Sequence, residues 1–177
     1  MFDIEIEPDE GTFRSEEVGV GDSSAISFSK VLEHTPIIPG SVTAIIGSLR
    51  GDDDGSGTFP GTDPYGTVNY TTGAITITGT AAALSGTVIS ATYRSWTPDA
   101  RKVVDVGNVP VTFHVRNYDD SSVILVQASE DRIKWMTLYL GTIAQWNIEP
   151  IDRISTRFVR VMSTRQCRIF GSTINLQ

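Results

Sequence analysis

Apolar residues in this chain recur at every second position over short runs, and glycine, proline or aspartate closes most of those runs. The stretch GTVNYTTGAITITG, residues 66–79, shows the pattern plainly. Ile75 and Ile77 alternate with Ala74, Thr76 and Thr78, which makes a strand with one apolar face. Gly73 can take a positive φ without steric cost, so Thr71-Thr72-Gly73 reads as a tight hairpin connection with a bulge. No window carries helical periodicity above background. Short strands at regular intervals, with turn chemistry between them, restrict such a chain to antiparallel sandwiches or barrels.

Strands are expected at residues 25–29, 41–46, 67–70, 74–78 and 88–93, and again at 102–106, 111–115, 123–128, 135–139, 143–148, 158–162 and 167–170. Pro98 in the polar stretch SWTPDAR marks a junction between the two sets. Residues 1–17 read as an N-terminal extended arm, in which Phe2, Ile4 and Ile6 alternate with Asp3, Glu5 and Glu7 until Pro8. A strand of that kind joins its own sheet or docks on a neighbouring subunit. The expected fold is therefore all-β: two small antiparallel β-sandwich or barrel modules in series, residues 18–98 and 99–177, behind the arm.

The length of 177 residues and a hydrophobic content of 40% are enough for a real core in one domain or two small ones. No apolar run approaches the roughly 20 residues that span a bilayer. The acidic start MFDIEIEPDE lacks the basic-then-apolar order of a signal peptide. A single cysteine, Cys167, excludes an internal disulfide and suits folding in a reducing cytoplasm. The net charge of −7 is uneven: residues 1–98 hold 13 acidic and 4 basic residues, residues 99–177 hold 8 and 10. This predicts modules with different surfaces. The first half should repel nucleic acid, and the second is too weakly basic to track phosphates, so neither nucleic acid nor a membrane is the expected partner.

Candidates for chemistry are few. Asp52-Asp53-Asp54-Gly55-Ser56-Gly57 invites a calcium reading, but placing Gly55 sixth in an EF-hand loop puts Arg50 first, where no ligand can stand. A solvated loop is the better expectation. His34 and His114 lie in different modules, without a cysteine or carboxylate at metal-ligand spacing. No G-x-S-x-G turn is present, and Cys167 sits in a strand-like run. No catalytic, cofactor or metal residue is assigned, and the chain is read as a non-enzyme. Trp135 and Trp146 are expected to fill the second core. Trp96 is expected as a wedge between modules or an anchor between subunits. Arg153, Arg157, Arg160 and Arg165 form either a solvated face or a basic patch for an acidic surface, and Arg160 shares the strand face of Phe158. The interaction candidates are thus Phe2, Ile4, Ile6, Trp96, Arg153, Arg157, Arg160 and Arg165.

Residues 19–94 resemble a module that recurs in structural proteins of tailed bacteriophages. The resemblance runs through Gly19, Gly21 and Asp22; Phe28 and Leu32; Pro36 and the run Pro39-Gly40-Ser41-Val42; Asp53, Gly55 and Gly57; Gly66, Tyr70 and Gly73; and the closing Gly86, Thr87, Ile89, Ala91, Thr92 and Tyr93. Phe59-Pro60 departs from it, as does the run at residues 81–84, where the module often has proline. The resemblance implies a non-enzymatic virion building block that contacts other virion proteins and forms a homo-oligomer in a symmetric assembly. A capsid decoration or cement role comes first, and a neck, tail or baseplate role second. The run VILVQASEDRIKWMTLYLGTI and the later RFVRVMS are similar to discoidin-like sandwiches through Ser129, Asp131, Trp135, Arg157, Phe158, Arg160 and Val161. That similarity implies the alternative, a module that binds carbohydrate or a host surface.

Overall fold

The computed structural model describes residues 2–6, 8–96, 103–117, 122–144 and 148–173. The fold is all-β and antiparallel, and none of the described residues is helical. The chain divides into two compact units, residues 11–97 and residues 1–10 with 98–177. They are called here the inner module and the split module.

The inner module holds β2 (Thr12–Val20), β3 (Ser27–Val31), β4 (Thr43–Ile46), β5 (Leu49–Asp52), β6 (Thr58–Phe59), β7 (Tyr65–Val68), β8 (Ala74–Thr78) and β9 (Val88–Ser95). They form two four-stranded sheets, in the orders β2-β9-β4-β5 and β3-β8-β7-β6. Ala44, Ile46, Ile89, Ala91 and Tyr93 of the first sheet share one core with Phe59, Val68, Ile75 and Ile77 of the second. This is a sandwich, and its alternating inward residues are those the period-two pattern marks. Asn69 closes the β7–β8 hairpin: its side-chain oxygen accepts the N–H groups of Thr71 and Thr72, at 3.1 and 2.9 Å.

Glu16, on the edge strand β2, accepts a hydrogen bond from the Tyr93 hydroxyl and from the Glu33 N–H, and pairs with Lys30 at 3.3 Å. Burial raises the pKa of this carboxyl, but the bonds from Tyr93 and Glu33 and the Lys30 charge outweigh it and leave the pKa below the ordinary value. A depressed carboxyl stabilises the fold above its unfolded pKa and loses that contribution as pH falls through the folded one. Urea denaturation of the inner module should therefore show stability falling as pH drops below 4.5, the ordinary value for this group. Glu16→Gln should reduce that acid dependence. It should not abolish it, because hydrogen bonds also depress Asp22 and Asp54.

The split module is one six-stranded sheet in the order β1-β14-β10-β13-β11-β12. Its strands are β1 (Phe2–Ile6), β10 (Val103–Asn117), β11 (Ser122–Ser129), β12 (Met136–Ile143), β13 (Ile148–Ser163) and β14 (Cys167–Thr173). β10 and β13 run for 15 and 16 residues and slip register between Asp105 and Val109, beside Gly107 at φ 78°. Such an irregularity bends a strand. One core then takes Ile6 from β1, Val106 and Val115 from β10, Ile124 and Val126 from β11, Val159 and Val161 from β13 and Cys167 from β14. Cys167 is fully buried there. A thiol reagent such as DTNB should leave it unmodified in the native chain and react fully in denaturant.

Three expectations are corrected. Residues 1–17 are not one arm: β1 pairs with β14 in the register Phe2↔Gly171 to Ile6↔Cys167, and residues 12–20 form β2 against β9. β2 escapes a search for alternation because it is an edge strand with both acidic and apolar residues at its exposed positions. The modules are not simply in series, because the inner one is inserted after the first strand of the other. The two strands expected at 102–106 and 111–115 are one. Pro110 did not break β10, because it pairs with Ser155 of β13 ahead of the point where the β14 ladder begins at Val111.

Candidate interaction surface

The turn between β11 and β12, residues 130–135, is held by two side chains. Ser129 Oγ accepts the N–H groups of Asp131 and Arg132, at 3.3 and 2.9 Å. Asp131 Oδ1 accepts those of Ile133 and Lys134, at 2.8 and 2.9 Å, and also the Ser129 hydroxyl proton. The N–H groups of Lys134 and Ile133 hold the Asp131 carboxyl below the usual carboxylate range. Thr156 Oγ1 donates to Ser129 O at 3.0 Å, which ties the turn to β13. With four amides satisfied locally, Arg132 can sit at φ 63°, a left-handed conformation that costs a non-glycine residue about 1–2 kcal/mol.

That turn geometry builds an alternation of guanidinium groups and rings. The guanidinium of Arg132 lies 4.2 Å from the Phe158 ring centre, and that of Arg157 lies 5.0 Å from it. Arg160 lies 4.1 Å above the Trp135 ring. Trp135 is fixed by its own Nε1–H, which donates to Arg132 O at 3.1 Å. Arg160 Nε donates to Gln127 Oε1 at 2.8 Å, and Gln127 Nε2 donates to Thr137 Oγ1. Each stacked pair contributes on the order of 0.5–2 kcal/mol. Burial pulls the Arg160 pKa down to about 10, so the group stays charged at neutral pH. A cavity of about 310 Å³ opens beside the turn, walled by Ser129, Glu130, Lys134 and Met136 among others.

Six of the seven residues behind the discoidin-like similarity meet here; the seventh, Val161, faces the core. Arg157 stands over Phe158 and Arg160 over Trp135, and Arg160 shares a strand face with Phe158. Arg165 lies at the far end of β13, in the turn before β14, and the side chain of Arg153 lies outside the described residues. Trp135 is half-buried under Arg160 and is not core filling; Trp146 lies outside the described residues. Trp96 is 2% exposed and so offers no surface anchor. Ile6 belongs to the core of its own chain, and β1 gives Phe2 and Ile4 backbone partners in β14. Sequence reading missed Arg132, Gln127 and Thr156. A lone glutamine inside the apolar run VILVQA was the available signal for Gln127.

The acidic loop is structural in its geometry. Asp53 is buried, not solvated as expected. Its carboxylate accepts the N–H groups of Gly40, Val42 and Gly55 at 2.9, 2.6 and 2.8 Å and the Tyr70 hydroxyl at 2.6 Å. Asp52 accepts the Thr43 hydroxyl, and Asp54 accepts Ser56 and Thr58. Among the described residues, no three His, Cys, Asp or Glu side chains converge as a metal site. His114 stacks on Phe170 at 5.4 Å.

No family model, curated protein or solved structure matches this chain.

Proposed function

We propose that this chain is a non-enzymatic structural protein of a tailed-bacteriophage particle, an accessory component that decorates or cements the capsid. The observation that carries the reading is the set of matched positions between Gly19 and Tyr93, several of which are bonded to one another. Gly40, Val42, Gly55 and Tyr70 all donate to Asp53. A motif whose residues serve each other belongs to a scaffold, and scaffolds act by presenting edges and loops to neighbours. Many symmetric copies then let weak contacts add up. A place in the neck, tail or baseplate uses the same chemistry.

The test is to add the purified protein to particles that lack it and locate the added density by cryo-electron microscopy. A regular array on the shell is the expected result. Density confined to the neck or tail relocates the protein. No density, with binding on a glycan array, overturns the reading in favour of a module that binds a host surface. The cavity of about 310 Å³ beside the β11–β12 turn is the observation that favours this second reading.

A further inference from the structure

Arg160 is a buried cation whose surroundings do not neutralise it. The residue is 8% exposed. Its Nε–H is used by Gln127 Oε1, and its flat face by Trp135. Neither partner is an anion, and no carboxylate pairs with Arg160 among the described residues. Taking a guanidinium out of water without a counter-charge is costly, and a neutral amide and a ring recover only part of that. The two terminal amino groups have no protein acceptor among the described residues. They are also not among the side-chain atoms sealed off without a partner, so they keep access to the surface. With Nε occupied, what remains is the end-on pair of N–H groups, which suits a carboxylate bidentately.

The surroundings extend this charge. Arg132, Lys134 and Arg157 are exposed. Among the described residues, Arg157 has one carboxylate near it, Asp105 at 3.5 Å. The nearby Asp131 is spent on the N–H groups of Ile133 and Lys134, and Glu130 is the opposing charge left on the turn. On the same turn Ile133 is 80% exposed. Arginine and tryptophan beside an exposed apolar side chain is the make-up of a protein interface. A sugar would want an open aromatic face, and Arg160 covers one face of Trp135.

We propose that the β11–β12 end of the split module is a docking surface for an acidic, partly apolar segment of a protein partner, with one carboxylate of that segment received by the terminal amino groups of Arg160. Arg132, Lys134 and Arg157 take neighbouring carboxylates, and Ile133 takes an apolar side chain beside them. The inference rests on this cluster alone and stands or falls separately from the particle assignment.

The probe is a blocked nonapeptide of alternating glutamate and leucine, titrated into the full chain while the Arg160 Nε–H and Trp135 Nε1–H resonances are followed by NMR. Both resonances should shift, and added salt should weaken binding. The same peptide with glutamine for glutamate should leave them in place. Arg160→Gln and Arg160→Lys should each weaken binding at least tenfold, because lysine keeps the charge but loses the fork; Arg165→Gln should not change it. If circular dichroism shows the Arg160 variants unfolded, Arg132→Gln replaces them, with a loss of about threefold expected. Unshifted resonances, undiminished binding by these variants, or a response to oligogalacturonate in place of the peptide would each overturn the proposal.

Discussion

Asp53→Ala should destabilise the inner module by about 3–5 kcal/mol, the range for breaking a buried charged network by removing one partner. The carboxylate is 8% exposed and serves four donors from three separate segments: Gly40 and Val42, Gly55, and Tyr70. Deleting it strands three backbone N–H groups and a phenol, each costing about 1–3 kcal/mol where water cannot reach it. Burial and the Asp53 charge already push the Tyr70 hydroxyl well above the ordinary tyrosine pKa, so ionisation offers that group no relief at neutral pH. Tyr70→Phe removes a single donor and should cost about 1–2 kcal/mol, by the size of a hydrogen bond to a charged group. The measurement is urea denaturation with a probe in each module, because two units in one chain need not unfold together. A loss below 1 kcal/mol for Asp53→Ala would mean that water replaces the carboxylate, and the hub would not be holding the loops.

The strand content of the chain was legible because period two is a strong signal wherever one face is buried. β8 and β9 show it in their residues and again in their burial. What was not legible is tied to particular residues. β2 carries Arg14, Glu16 and Glu17 on a sheet edge, where alternation is not enforced, so it passed for an arm. Asp53 stands between two other aspartates, and only its distance to three loops distinguishes it from them. The charge split misled more deeply. By halves of the sequence the acidic and basic counts differ sharply, yet the inner module holds 8 acidic and 4 basic residues and the split module 13 and 10. The five acidic residues among the first ten cross into the second unit and nearly equalise the two net charges. The Arg160 surface was half legible: the shared face of Phe158 and Arg160 follows from parity. Arg132 reaches Phe158 through a left-handed turn that no periodicity announces.

Gly66→Ala should be the most damaging small substitution in the inner module, at more than about 4 kcal/mol, where single changes become exceptional. Gly66 sits at φ 152° in β7, and a Cβ there would come within 1.9 Å of Thr76 O and 2.9 Å of its carbonyl carbon. Both atoms are backbone of β8, the neighbouring strand, so no side chain can swing aside to make room. Relief requires moving β7 off β8, which breaks the ladder Thr67↔Thr76 and Val68↔Ile75 and opens the core behind Ile75 and Ile77. Gly86 provides the control. It also has a positive φ, 83°, but a Cβ there meets nothing within 4 Å. Gly86→Ala should therefore cost only the strain of a left-handed alanine, on the order of 1 kcal/mol, part of it offset by the reduced freedom of the unfolded chain. Hydrogen exchange at the Ile77 and Ile89 amides reads both variants within this module. A Gly66→Ala chain with protection close to that of Gly86→Ala would show that β7 yields without cost. The glycine matched in the phage-type motif would then be a matter of backbone conformation, with no role in keeping two strands in contact.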